Sequence, residues 1–404
     1  MADIKINAIT GMNNISSSFF KDDGVASPRV VRNADITVDG KATKRDGTQV
    51  FLALPGAHSL WACDLCMLCS AYGRLYDIST GEAVDVGGVS GVQTEKLDYV
   101  LIEGLVYISN KYWNRVYHPA TQVLSDWGIL PPSGPILSAG AGGLQPGTYH
   151  VTLTTIDQGK ISGNGPISSI TLDAVGGIGI YSRPANTLVW ATDQDGYVFT
   201  LVGDVDSIVE IPTVEPLPSF MCSPPPPLTC ITYAFGRVWG VDGDTLLYSE
   251  PYQPGYFKPI SNRFKFNSPI TLVAHISTGI FVGMKDRTIF LAGTEPEKMS
   301  QVLAGAGSVK GTLAYCDNLP ELGDVLGTPE KGYTDVPVWR TVDGIVAGNV
   351  SGRLFNLTKN KINMNAADVG ASLYRQTSGG FQFLTSSKVS DTVSCDQWRN
   401  GVLL

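Results

Sequence analysis

No stretch of the 404 residues repeats apolar side chains at helical spacing, so an α-helical or α/β body is excluded by the pattern itself. The opening Met-Ala-Asp-Ile-Lys-Ile-Asn lacks the apolar centre of a secretory signal. The longest apolar run, Tyr99 to Ser109, is too short for a bilayer and is broken by Glu103. A soluble protein made in a cytosol is therefore expected. Basic charge is also scarce. The net charge is −8, and no basic face of the kind that grips nucleic acid through its phosphates is visible. Seven cysteines, an odd number, argue against a complete disulfide framework. No phosphate-binding loop occurs, because Gly140-Ala-Gly-Gly143 precedes no helix and reads as the flexible entry to an inserted module.

What the sequence has in abundance is turn residues, with 45 Gly and 24 Pro, separated by runs rich in Val, Ile, Thr and Tyr. One short phrase returns, in which Gly hands the chain to an apolar or aromatic pair in strand alternation. It reads Gly73-Arg-Leu-Tyr76, Gly236-Arg-Val-Trp239 and Gly352-Arg-Leu-Phe355, with looser copies at Gly104, Gly279 and Gly380. Such recurrence marks a repeat architecture. Starting points at Gly73, Gly104, Gly236, Gly279, Gly344 and Gly380 lie 31, 46, 43, 44 and 36 residues apart once 133–218 and 317–337 are set aside. Four-stranded propeller blades take about 40–45 residues. The phrase is expected to mark the inner strands of those blades.

The segment 133–218 has a different character. It opens after Leu130-Pro-Pro-Ser133 and closes in Pro216-Leu-Pro218, with Pro224 to Pro227 beyond. Within it Thr148 to Ile156 alternates as a strand, and Asp157-Gln-Gly159 turns the chain. Thr187 to Thr192, the turn 193–196 and Tyr197 to Leu201 form a hairpin. Its length suits a fibronectin-III-like β-sandwich. The expected fold is thus all-β: a propeller of about six blades, with N-terminal blades in 1–132, an inserted sandwich in 133–218 and the remaining blades in 219–404.

Candidate chemistry is sparse. Cys63-Asp-Leu-Cys66-Met-Leu-Cys69 has the spacing of a soft-metal site, with His58 as a possible fourth ligand. It also reads as a buried strand. On that reading Cys63, Leu65, Met67 and Cys69 face one side and Cys66 the other, which separates the sulfurs, and the cysteines pack as small hydrophobes. Thr192-Asp-Gln-Asp-Gly196 approaches an aspartate box but has Gln194 where the aspartate should stand, and Asp242-Gly-Asp244 is a hairpin turn. His58, His118, His150 and His275 are scattered, and Gly56-Ala-His58-Ser59 has no nucleophile-elbow context. No catalytic, cofactor-binding or metal-binding residue is assigned, and no cofactor is expected.

The N-terminal region carries Gly11-Met-Asn-Asn14, then Val31-Arg-Asn-Ala-Asp-Ile36, Asp39-Gly40, Lys44-Arg-Asp-Gly47 and Gly56-Ala-His58-Ser-Leu-Trp61. Read physically, this is two short strands joined by an Asp-Gly turn, with a basic pair on a solvated edge. The segment resembles the N-terminal region of tailed-bacteriophage tail structural proteins, in which Gly-aliphatic-Asn-Asn precedes Asn-x-Asp-Ile/Val and Arg-Arg-x-Gly. Ala234 to Trp239, Leu247 to Pro251, Pro259 to Phe266, Gly279 to Gly283 and Thr288 to Phe290 look like the middle blades of that group. The resemblance implies a β-propeller tail nozzle or hub: a homo-oligomer, six copies forming a tube below portal and adaptor, contacting tail fibres or spikes. DNA would pass through its channel without specific binding. Lys44 departs mildly from the family pattern, and the cysteine cluster is not a family feature. A tail-tip or baseplate component of a long-tailed phage is the near alternative. A carbohydrate-binding propeller is the other, with Trp61, Trp113, Trp127 and Trp239 as candidate aromatics.

Overall fold

Hairpins closed by tight turns build nearly everything in this chain. The computed structural model describes residues 49–89, 95–213, 215–316, 336–359, 361–377 and 380–388, with short pieces at 8–9, 25–26, 28, 34–36 and 41–44. Near the N-terminus β1 (Ala8–Ile9) pairs in parallel with β2 (Val25–Ala26), and β3 (Ala34–Ile36) pairs antiparallel with β4 (Ala42–Lys44). The motif residues Gly11 to Asn14, Asp39-Gly40 and Arg45 to Gly47, and the stretch 317–335, lie outside the described residues.

Four consecutive antiparallel strands then recur. The first blade is β5 (His58–Ala62), β6 (Met67–Ala71), β7 (Arg74–Asp77) and β8 (Val84–Gly88). The second is β9 (Asp98–Ile102), β10 (Leu105–Ser109), β11 (Asn114–His118) and β12 (Val123–Ser125). The inserted module comes next as β13 (Ile136–Leu144), β14 (Gly147–Asp157), β15 (Lys160–Ile161), β16 (Ser168–Leu172), β17 (Gly176–Tyr181), β18 (Thr187–Thr192), β19 (Phe199–Gly203) and β20 (Ser207–Ile208). The third blade is β21 (Thr229–Ala234), β22 (Arg237–Asp242), β23 (Thr245–Glu250) and β24 (Gln253–Phe257), with β25 (Arg263–Lys265) added on β23. The fourth is β26 (Ile270–Ile276), β27 (Gly279–Met284), β28 (Arg287–Ala292) and β29 (Ser300–Ala306). The fifth is β30 (Ala314–Cys316), β31 (Val336–Thr341), β32 (Gly344–Gly348) and β33 (Leu354–Asn356). A long hairpin, β34 (Val369–Thr377) with β35 (Gly380–Lys388), closes the described chain. The fold is all-β: propeller-type blades interrupted by a β-sandwich.

The chain divides into two compact units. One comprises Leu54–Asp242 and Leu246–Phe264; the other takes Met1–Ala53, Gly243–Thr245 and Lys265–Leu404, so far as these are described. In the first unit, Leu68 and Leu75 of the first blade pack with Val106, Ile108 and Tyr117 of the second. The second blade also packs Tyr107, Val116 and Trp127 against Leu228, Val238, Leu247 and Phe257 of the third. In the second unit, Phe281 and Phe290 of the fourth blade meet Trp339 and Val346 of the fifth.

The sandwich holds its own core. One sheet is ordered β13-β17-β20 and the other β15-β14-β18-β19, with β16 on β14. Leu144, Tyr149, Val151, Leu153, Ile178, Ile180, Val189 and Ile208 fill the space between them. Alternation along each strand explains this, because every second residue faces the opposite sheet. Gly140 to Gly143 is part of β13 rather than a flexible entry. It pairs closely with β17, where a Cβ on Gly142 would stand 2.7 Å from the Gly176 carbonyl oxygen, so glycine here serves strand contact.

The recurring Gly phrase marks a turn and not a fixed place in a blade. Gly104 and Gly236 precede second strands, Gly279 opens one, Gly73 precedes a third strand and Gly352 a fourth. In Tyr72-Gly73 (φ 52° and 71°), Glu103-Gly104 (49° and 82°) and Phe235-Gly236 (55° and 70°) both turn residues take positive φ. That is the two-residue hairpin turn whose twist matches the strands, and its second position favours glycine. The blades themselves begin at His58, Asp98, Thr229, Ile270 and Ala314, at intervals of roughly forty residues once the insert is set aside.

Candidate functional site

A group of reactive side chains lies in the first unit, where the β5–β6 hairpin meets the second blade. β5 ends at Ala62 and β6 begins at Met67. Between them Asp64 and Leu65 reverse the chain, and the Cys63 N–H donates to the Cys66 carbonyl at 2.9 Å. The expected through-running strand is therefore replaced by a hairpin. Its consequence is opposite to the alternation argument: the Cys63 and Cys66 sulfurs share a side, 3.9 Å apart. Cys66 shares a core with Leu68, so Cys69, one residue further, faces the other side of the sheet. The three cysteines do not converge, and among the described residues no group of three His, Cys, Asp or Glu side chains could hold a metal.

Burial pushes the Cys66 thiol up to about 12, with further contributions from Cys63 and Asp77. Asp77 ends β7 opposite Leu68 and is buried. It accepts hydrogen bonds from the Tyr117 hydroxyl at 2.5 Å, the Ser79 N–H at 2.9 Å and the Ser79 hydroxyl. Tyr117 belongs to the second blade, so this carboxylate ties two blades together through one phenol. Burial and then Asp77 hold the Tyr117 hydroxyl above the usual phenol range. Beside this group Trp61 stacks on Tyr99 with centroids 5.4 Å apart, and burial raises the Tyr99 hydroxyl as well. A cluster that keeps its thiol and phenols protonated does not build the thiolate that nucleophilic catalysis requires.

The histidines stand on four different sheets, each against a hydroxyl. His58 Nδ1 lies 2.9 Å from Ser59 Oγ, His118 Nε2 2.7 Å from Ser125 Oγ, His150 Nδ1 2.7 Å from Ser169 Oγ, and His275 Nδ1 2.9 Å from the Tyr315 hydroxyl. Burial lowers the pKa of His275. No two of the four share a site. The turn at 193–196 is structural: Asp195 Oδ1 accepts from the Thr148 N–H at 2.9 Å, and Gln194 Nε2 donates to the Pro146 carbonyl at 2.5 Å. Asp242-Gly-Asp244 joins β22 to β23 as a hairpin turn. Of the four candidate aromatics, Trp113, Trp127 and Trp239 are buried, and the indole N–H groups of Trp127 and Trp239 donate to the carbonyls of Pro254 and Ala234. Only Trp61 keeps partial access.

Sequence reasoning missed Asp77 and Tyr117, which no local pattern sets apart from ordinary strand residues. It also missed Arg340, a buried arginine on β31 whose guanidinium donates to the Asn365 carbonyl and whose pKa burial lowers.

The exposed aromatic surface lies elsewhere. Tyr181 and Tyr197 project from the insert, Tyr197 stacked on His150, and Tyr72 and Tyr252 from hairpin ends of the first and third blades. Among the described residues no helix is long and apolar enough to cross a membrane.

No protein family and no curated protein matches the chain. Among solved structures it is similar to the computationally designed Ika8 protein, at 14% identity over 85% of this chain and 98% of that one, with a TM-score of 0.29. It is also similar to BBS1N in its complex with ARL6DN, at 9% identity over 83% and 90% with a TM-score of 0.33. A third is AztD from Citrobacter koseri, at 8% identity over 82% and 76% with a TM-score of 0.32. Likeness at this level assigns no function, and the fold rests on the strand order described above.

Proposed function

We propose that this chain is a structural component of a bacteriophage tail, a nozzle or hub whose copies associate around the DNA exit channel. The observation that carries the reading is the N-terminal sequence Gly11-Met-Asn-Asn14 … Asn33-Ala-Asp-Ile36 … Lys44-Arg-Asp-Gly47, set before an all-β body of blades with an inserted sandwich. The N-terminal sequence carries the family resemblance, and the resemblance implies the propeller blades. The net charge of −8 is compatible with a lumen that repels the phosphate backbone, letting DNA slide rather than stick. In this reading a homo-oligomer, a hexamer by analogy, contacts portal or adaptor on one side and fibres or spikes on the other. The insert and the exposed hairpin ends are the surfaces available for those contacts.

The test is compositional. Purified virions should contain the chain in a copy number set by tail symmetry, and class averages of the purified oligomer should show a ring with a central channel. One copy per virion, or absence from virions, rejects the proposal. A micrograph of the virion separates a short-tailed nozzle from a long-tailed tip or baseplate component. Specific retention on a glycan array would favour the carbohydrate-binding alternative, which the burial of three of the four candidate tryptophans disfavours.

A further inference from the structure

The β5–β6 hairpin places two thiols side by side at the edge of a core, and the tail reading gives them no task. Cys63 is partly exposed and Cys66 is 4% exposed, with their sulfurs 3.9 Å apart. The Cys63 N–H to Cys66 carbonyl bond holds the two backbones together across a two-residue turn. Hydrogen-bonded antiparallel partners stand about 5.5 Å apart at Cα, inside the roughly 4.4–6.8 Å that a disulfide spans. Bond formation asks for side-chain rotation that closes the 3.9 Å between the sulfurs to about 2.05 Å. Cys69 is excluded by its position on the other face of the sheet. A metal site is disfavoured, since no third ligand converges among the described residues.

We infer that Cys63 and Cys66 form a reversible disulfide that staples the β5–β6 hairpin, made by exchange with a small-molecule disulfide. The Cys63 thiol loses its proton, and its thiolate attacks one sulfur of the small disulfide RSSR. The S–S bond breaks, the leaving thiolate takes up a proton as RSH, and a mixed disulfide remains on Cys63. Cys66 then loses its proton and attacks Cys63 Sγ, expelling the second RSH. Two protein thiols are oxidised and one RSSR is reduced. The order is set by access, because only Cys63 is reachable from solvent. The second step is favoured by proximity, which makes it intramolecular. Burial keeps Cys66 protonated at neutral pH, which slows that step there, and the step speeds up as rising pH ionises the thiol. This disulfide rests on the hairpin alone and does not depend on the tail reading.

The experiment uses the full chain, reduced, freed of reductant and incubated with oxidised glutathione. It is then acid-quenched, alkylated with N-ethylmaleimide and digested with trypsin. Cleavage after Arg45 and Arg74 releases one peptide holding Cys63, Cys66 and Cys69. The expected peptide has lost two hydrogens and carries a single label, on Cys69, and dithiothreitol restores three labels. Cys66→Ser should instead retain a glutathione adduct on Cys63, and Cys69→Ser should still form the bond. Three labelled thiols after oxidation, a bond that includes Cys69, or a persistent adduct on Cys63 in the parent chain would each overturn the inference. The parent-chain map decides the matter even if a variant fails to fold.

Discussion

The insert and the blades solve the same problem, covering a sheet's apolar face, in opposite ways. The core between the insert's two sheets draws its buried residues from Leu144 to Ile208 alone. Each blade core in the first unit is shared: Trp113 and Tyr117 of the second blade complete the first blade's face, and Trp127 completes the third's. A blade therefore has no finished core without its neighbour, whereas the sandwich closes on itself. Side-chain choice reflects this. The core between the insert's sheets is mostly aliphatic, while the blade cores rely on Trp, Tyr and Phe, whose larger payload spans from sheet to sheet.

The comparison breaks most visibly at the two cores. Trp127→Ala should cost about 3–5 kcal/mol and Leu153→Ala about 2–5 kcal/mol. Native-state hydrogen exchange should distinguish them. The first should raise exchange across strands of both the second and third blades, the second only across β13 to β20. Spread of the Leu153→Ala effect into the blades would show that the insert is not self-contained.

Next in size is the seat of the insert on the segment C-terminal to it. Ser219 Oγ donates to the Ser162 carbonyl and the Met221 N–H to Asn164 Oδ1, both at 2.6 Å. A Cβ on Gly163 would stand 1.6 Å from the Cys222 carbonyl oxygen. Gly163→Ala should therefore cost about 1–3 kcal/mol by overpacking. Limited proteolysis should reveal it as cleavage near 217–222, with the sandwich core intact.

Asp77→Asn should cost a comparable 1–3 kcal/mol, roughly, by leaving one of its buried donors without an acceptor. It should also move the Cys66 thiol back toward its ordinary value, since Asp77 is one of the groups raising it. Alkylation of Cys66 followed against pH reads that shift. An unchanged profile would assign the Cys66 shift to burial and Cys63 alone.

A smaller effect is expected from His275 in the fourth blade. Burial lowers its folded pKa, so below the ordinary histidine value of about 6.5 the unfolded chain takes up a proton that the folded chain refuses. Stability should fall as pH falls through that value and level off below the depressed folded pKa. His275→Gln should flatten this limb in urea titrations between about pH 7 and 5. The smallest change should be Ser169→Ala beside the surface pair His150–Ser169, within about 0.5 kcal/mol.

Much of this architecture is legible in the sequence, for definite reasons. Strand alternation and X-Gly turns are local, so the hairpin of β18 and β19 can be read from spacing alone. The cysteine segment misleads because its alternation across 60–71 looks unbroken, and Asp64-Leu65 is an unremarkable turn by composition. The Gly phrase misleads in a similar way: a turn signal reports that a hairpin occurs, not which strand of a blade it opens.

By itself the sequence determined that the chain is all-β, that it repeats at about forty residues and that a separate module interrupts it, because periods of two and recurrent turns are written in local order. Tertiary structure alone decided which sheets share a core and that two cysteines meet across a turn. It alone buried Asp77 under a phenol from the neighbouring blade. Those facts depend on partners 40 residues away or on the sense of a single reversal, and neither leaves a periodic trace in the chain.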